Sequence, residues 1–230
     1  LLPASKRRNV KSNNTTKTRN NLRLNLIKNA ELEGEFEFPK LKATQTTFSK
    51  YELVPFNIAM GIQERKQNYY VHFYIDDYQF DRIWNFPDKY LTLLKDFKGL
   101  IMPDFSLYTD MPKAQQIWNS YRSKALGYYF QSQGLEVIPN ASWSDESSFE
   151  WCFDGLPKNS VIAVSSIGCM KNPRATLAFC KGFNEMIKRL QPIEILFYGE
   201  VPKSLQGNPK VKQIATHLQI SLEKYTKGEK

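Results

Sequence analysis

Two aspartates stand where an α/β enzyme would use them. Asp77 closes the run YIDD, and Asp104 follows the apolar run LIMP. Each ends a β-rich segment, and in parallel α/β sheets ligands bind beyond the C-terminal ends of the strands. A carboxylate there serves as general base or metal ligand. Asp77 and Asp104 are therefore the expected catalytic residues, and a divalent metal is the cofactor such a pair could take. Other strand ends supply groups that bind rather than react: Ser106, Asn140 and Trp143, Ser165 and Gly168, and Tyr198. Arg82 and Arg122 are the cations expected to clamp an anion. Asp110 and Thr109 are instead expected to cap the following helix. A competing structural reading pairs Asp104 with Arg122 in a buried network that holds the fold together.

These residues need a scaffold, and the pattern supplies one. The β-rich runs are VHFYI (71–75), LIM (100–102), LEVIP (135–139), VIAVS (161–165) and EILFY (194–198). Helical stretches fill most of the gaps. Asn85 and Pro87 mark the start of one, Pro112 of a long one stopped by Gly134, and Pro173 of one ending before Pro192. A β-α repeat of about 30 residues is the mark of parallel strands with right-handed crossovers. The expected fold is α/β with five or six mainly parallel strands, either an open sheet or a partial barrel. Residues 31–60 read as an extended lead-in with one or two short strands, and SSFEWCFDGL as a short helix or strand.

Some chemistries are excluded by motif. No Walker-type phosphate loop, dinucleotide fingerprint or G-x-S-x-G elbow occurs. YIDD resembles a polymerase aspartate hairpin only superficially, because a helix-like segment follows it. Three cysteines without C-x-x-C spacing, and two histidines, argue against a disulfide framework or a zinc site and for a cytoplasmic protein. No apolar run reaches the ~18 residues that cross a bilayer, and no signal-peptide pattern is visible.

The net charge of +9 is unevenly spread. Residues 1–28 carry eight Lys/Arg and no acid, and residues 201–230 six Lys and two Glu, which leaves 31–200 at −3. The expected organisation is a disordered basic tail (1–30), a single α/β domain (31–215) and a Lys-rich C-terminal tail (216–230). The first tail is a candidate nucleic-acid contact through counterion release. Two functions follow. One is an enzyme acting on a nucleotide or nucleic acid at the polar rim. The other is a non-catalytic protein that binds nucleic acid or a partner.

Several strings in one order, HFYIDDYQFDRIWNFPDKYL, PDFSLYTDMPKAQQIWNSYRSKALGYYFQSQGLEVIPNASW, FDGLPKNSVIAVSSIG and EILFYG, resemble the domain-of-unknown-function 4417 family over roughly residues 50–200. The resemblance implies a bacterial, phage or mobile-element setting. It carries over no catalytic residues.

Overall fold

The computed structural model describes residues 22–45 and 52–216. The basic tail up to residue 21 and the Lys-rich tail beyond residue 216 lie outside the described residues. Among the described residues nine strands form: β1 Leu32–Glu33, β2 Phe38–Pro39, β3 Glu52–Pro55, β4 Tyr69–His72, β5 Gly99–Ile101, β6 Val137–Ile138, β7 Val161–Ser165, β8 Glu194–Tyr198 and β9 Val211–Ile214. Strands β3 to β6 pair in parallel in chain order, as do β7 to β9. A parallel bridge between Asn140 and Ala163 joins the two sets. Its hydrogen bonds run from Ala163 N to Pro139 O at 2.8 Å and from Ala141 N to Ala163 O at 2.9 Å. Seven parallel strands thus follow one another in sequence order.

The sheet curls. His72 on β4 and Tyr198 on β8 have ring centroids 4.6 Å apart, although three strands lie between them. A flat sheet would hold them about 19 Å apart at ~4.8 Å per strand. The curl produces a lumen filled by Tyr70, Tyr74, Ile101, Ile138, Val161, Ala163, Leu196 and Tyr198, with Leu53 of β3 and Ile214 of β9 packed against them. Among the described residues no ladder joins β9 to β3, so the barrel is partial. The period-2 alternation of a strand explains the split. Tyr70 and Tyr74 face the lumen, whereas Val71 and Phe73 belong to the outer core under the helices.

Those helices are α1 Phe56–Ala59, α2 Asp77–Phe80, α3 Arg82–Asn85, α4 Pro87–Leu94, α5 Lys113–Ser132 and α6 Pro173–Leu190. Helix α6 follows the expected grammar. Asn172 Oδ1 accepts from Ala175 N at 2.9 Å, Pro173 stands in the first turn, and Phe179, Phe183, Met186 and Leu190 form its buried stripe. Helix α5 stops before Gly134, whose φ of +85° suits a residue without Cβ. Its start differs from expectation. Pro112 holds the cap position with no side-chain hydrogen bond, so neither Thr109 nor Asp110 caps it. Phe86, not Asn85, precedes Pro87 of α4. The ambiguous stretch at 147–156 opens as a 3-10 turn, Glu146–Glu150.

The N-terminal segment gives a correction. Residues 22–30, expected within a disordered tail, hold a 3-10 turn at Leu24–Ile27 with Leu26 and Ile27 buried. The alternating leucines of NLRLNLI carry apolar surface that the Lys- and Asn-rich neighbourhood hides from a compositional average. This strap continues through the β1–β2 hairpin. It then runs beside the start of β7, where Val161 N donates to Thr44 O at 3.0 Å. Under the strap lies Lys124 of α5, 2% exposed. Its Nζ donates to Ser120 Oγ at 2.6 Å and Cys152 O at 3.0 Å, and sits 4.2 Å from the Phe38 ring centroid. Burial pulls the Lys124 ammonium down to about 8, against the opposing pull of Cys152, Asp154 and Glu33.

Candidate active site

The mouth of the partial barrel is built from residues just past the ends of β4, β5 and β6. Two residues beyond β4, Tyr74 continues the inward-facing series and stacks on Tyr198 with centroids 5.0 Å apart. Its hydroxyl donates to Asn140 Oδ1 at 2.8 Å. Asn140 follows β6, and its Nδ2 donates to Asp104 Oδ1 at 2.8 Å. Asp104 follows β5 and also receives a hydrogen bond from the Ser142 side chain. One relay, Tyr74 to Asn140 to Asp104, therefore links three strand ends. The first bond fixes the amide orientation. With Oδ1 turned to the tyrosine, the NH2 must face the carboxylate.

Asp77 joins from the start of α2. It accepts from Ser106 N at 3.2 Å and from Ser106 Oγ at 2.8 Å, which ties the loop after β4 to the loop after β5. Asn119 Nδ2 of α5 in turn holds Ser106 O at 2.7 Å.

Electrostatics separates the two carboxylates. Burial raises the Asp104 carboxyl to about 7, with the charge of Asp77 adding to the rise and the bonds from Ser142 and Asn140 opposing it. Asp104 nevertheless keeps a partial solvent face. Asp77 is also raised by burial, but the Ser106 hydrogen bonds and the Arg122 charge work against that rise. The Tyr74 phenol is pushed up by burial and then by the Asp104 charge. Cys169, beyond β7, is raised to about 11 by burial and by Asp104. The arrangement is a carboxyl that exchanges its proton near neutral pH, beside a second whose proton affinity burial also raises and the Ser106 hydrogen bonds moderate.

Of the residues singled out in the sequence, Asp77, Asp104, Ser106, Asn140 and Tyr198 come together here. The others go elsewhere. Arg122 Nη1 binds Asp81 Oδ1 at 2.5 Å, and its guanidinium lies 3.8 Å from the Phe105 ring centroid. It thus pairs with Asp81 rather than Asp104. Arg82 lies over the rings of Phe56 and Tyr90. Trp143 packs on Phe179 and against Gly182, where a Cβ would fall 2.2 Å from the indole nitrogen. Ser165 Oγ accepts from Ile167 N at 3.2 Å, a local turn, and Gly168 supplies a φ of +80° in the same loop. Among the described residues no three His, Cys, Asp or Glu side chains group as a metal-ligand set. Asp77 and Asp104 are the two carboxylates there that could ligate a divalent metal.

Sequence reasoning missed Tyr74 as a site residue, and it missed Ser142. The available signal was the alternation Tyr70-x-His72-x-Tyr74: three polar-tipped rings on the inward face of one strand, where aliphatic residues would fill a lumen more simply.

No helix among the described residues is long and apolar enough to cross a membrane. No solved structure matches the chain. It is 39% identical over 184 residues to the Gene 1 protein of Mycobacterium phage L5, covering 77% of each. It is 36% identical over 199 residues to the Gene 1 protein of Mycobacterium phage D29, covering 80% of this chain and 74% of that one. Residues 30–215 match the family described as "Domain of unknown function (DUF4417)", and the chain, with its phage relatives, belongs to that family.

Proposed function

We propose that the chain is an enzyme that works by proton transfer at the barrel mouth, with Asp104 as general acid or base and a nucleotide or nucleic acid as substrate. The observation that supports this reading is the Tyr74–Asn140–Asp104 relay, assembled from three strand ends around a carboxyl poised at about 7. A group with that value, still reached by solvent, can both accept and return a proton at neutral pH. Asp77, braced by Ser106, supplies the neighbouring negative charge that a departing proton or a developing cation would feel. The substrate class rests on the eight cations of residues 1–28, set against a domain that is itself slightly acidic.

The test is turnover. Nucleotides and short oligonucleotides, with and without Mg2+, are incubated with the parent chain and with Asp104→Asn, and products are read by chromatography. The expected result is parent activity with an inflection near pH 7 and a loss of about 10²-fold or more in the variant. Equal activity in both proteins would remove Asp104 from the chemistry.

A further inference from the structure

The domain divides in charge where its sheet divides. Residues 31–156 hold twelve Lys/Arg and eighteen Asp/Glu, a balance of −6, and residues 157–216 hold nine and three, a balance of +6. The cations thus belong to the part that carries β7 to β9 and α6. Several are already paired: Lys181 with Glu146, Lys188 and Arg189 with Glu185, and Lys212 with Glu194. Lys171, Arg174 and Lys203 are exposed and make no ion pair among the described residues. They stand in the loop after β7, the first turn of α6 and the turn after β8. In the segments 166–180 and 199–206 these three cations face one acid, Glu200.

Between those segments lies a cavity of about 560 Å³, within the range of small-molecule sites. Lys171 lines it, and Arg174 and Lys203 are chain neighbours of the lining residues Pro173 and Ser204. Its apolar side is Met170, Pro173 and Leu177, the last two spaced four residues apart on one face of α6. Leu177 is 58% exposed and stands outside the buried stripe of that helix, so packing does not account for it. Cys180 Sγ and Ser204 Oγ lie 3.4 Å apart and join α6 to the turn after β8. Asn172 uses its Oδ1 on Ala175 N, which leaves its NH2 as a donor.

The cavity lies at the same end of the sheet as Asp104. Ala163 bridges Asn140, and two residues later β7 ends. Ser166 N then bonds Tyr198 O at 3.0 Å, so the loop leaves beside the ring that stacks on Tyr74. Cys169, next to the lining residue Met170, is raised in part by the Asp104 charge. An apolar wall under a cationic rim suits a molecule that is flat and apolar at one end and anionic at the other, as a nucleotide is. A polynucleotide would have to continue across the acidic half of the domain, and a single nucleotide need not.

We infer that this cavity binds a free mononucleotide: Met170 and Leu177 contact the base, and Lys171, Arg174 and Lys203 hold the phosphate. The inference deepens the proposed function and rests on that reading only for the nucleotide being what Asp104 acts on. The binding itself rests on the cavity and its cations.

The experiment is isothermal titration calorimetry of the full chain with AMP, GMP, CMP and UMP, and with ribose 5-phosphate and inorganic phosphate in place of the whole nucleotide. At least one nucleotide is expected to bind about tenfold or more tighter than ribose 5-phosphate, through burial of its base, and more weakly as salt rises. Lys171→Gln/Arg174→Gln/Lys203→Gln is expected to lose about tenfold or more in affinity and most of the salt dependence. Leu177→Ser is expected to bring the nucleotide down towards ribose 5-phosphate with the salt dependence kept. All four residues are exposed, and an unchanged thermal midpoint verifies folding. Asp104→Asn is expected to bind nucleotide like the parent, so failure of the reaction-centre reading shows in turnover and failure of the cavity shows in titration. No binding by any of the four nucleotides, binding no tighter than ribose 5-phosphate, a triple variant that binds like the parent, or a short oligonucleotide that outcompetes every mononucleotide would each overturn the inference.

Discussion

Asp104 and Lys124 are both buried ionisable groups with shifted affinities for a proton, and they do different work. Lys124 is sealed. Phe38 covers its Nζ, Ser120 and Cys152 take its hydrogen bonds, and the strap closes over it. Asp104 stands at the ends of the strands with a partial solvent face, inside a relay whose members come from separate loops. The lysine locks the strap to α5, and the aspartate ties together loops that follow separate strands. A perturbed titration alone distinguishes neither, because burial is the leading cause in both. Position relative to the strand ends and to solvent does.

The comparison breaks most visibly at Lys124. Lys124→Ala leaves Ser120, the Cys152 carbonyl and the neighbouring Asp154 and Glu33 without their cation, and opens a void under Phe38. A loss of about 3 kcal/mol or more is expected, read as a fall in thermal midpoint on the order of 10 °C. Lys124→Met, which refills the space, should recover much of it. A midpoint unchanged in Lys124→Ala would mean that the strap is not held there.

The two groups also predict opposite pH responses. The folded Asp104 keeps its proton between about pH 4, where the unfolded chain releases it, and about 7. The native state binds more protons across that window, so stability falls as pH rises through it. Asp104→Asn removes this fall. The variant should match the parent near pH 4 and exceed it by about 4 kcal/mol at pH 8. Lys124 gives the mirror image. The folded group loses its proton at about 8 and the unfolded one at about 10.5, so stability rises over that window. Chemical denaturation at a series of pH values checks both signs. A large loss of stability in Asp104→Asn at pH 8 would make the relay a structural lock like Lys124.

The smallest effect tests the relay itself. Tyr74→Phe removes one hydroxyl and leaves Asn140 Oδ1 without its donor. The expected loss is about 1 kcal/mol. The Asp104 titration, followed by carboxyl-carbon NMR, should move as Asn140 is freed to turn. An unmoved titration would confine the tyrosine to packing on Tyr198.

Parts of this architecture were legible in the chain. VIAVS and EILFY matched β7 and β8 residue for residue, because a central parallel strand is a continuous apolar run. Strand β9, VKQI, was not, since lysine and glutamine dilute it and, among the described residues, only β8 pairs with it. Asp104 and Asn140 were found because polar residues after an apolar strand mark a strand end. Arg122 was read as an anion clamp, and its partner in the fold, Asp81, was not legible because it lies 41 residues away in the turn between α2 and α3.

The sequence by itself determined the period of strand and helix, the parallel pairing that such a period demands, the charge divide between tail and domain, and the family. These are local or additive properties, written in spacing and composition. Only the tertiary structure decided that the sheet curls, because curvature accumulates from twist over seven strands and no single segment encodes it. The curl brings Tyr198 onto Tyr74, and the strand register sets Asn140 between Tyr74 and Asp104. The same packing raises the proton affinity of Asp104, because desolvation belongs to the surroundings of a carboxyl and not to the residue.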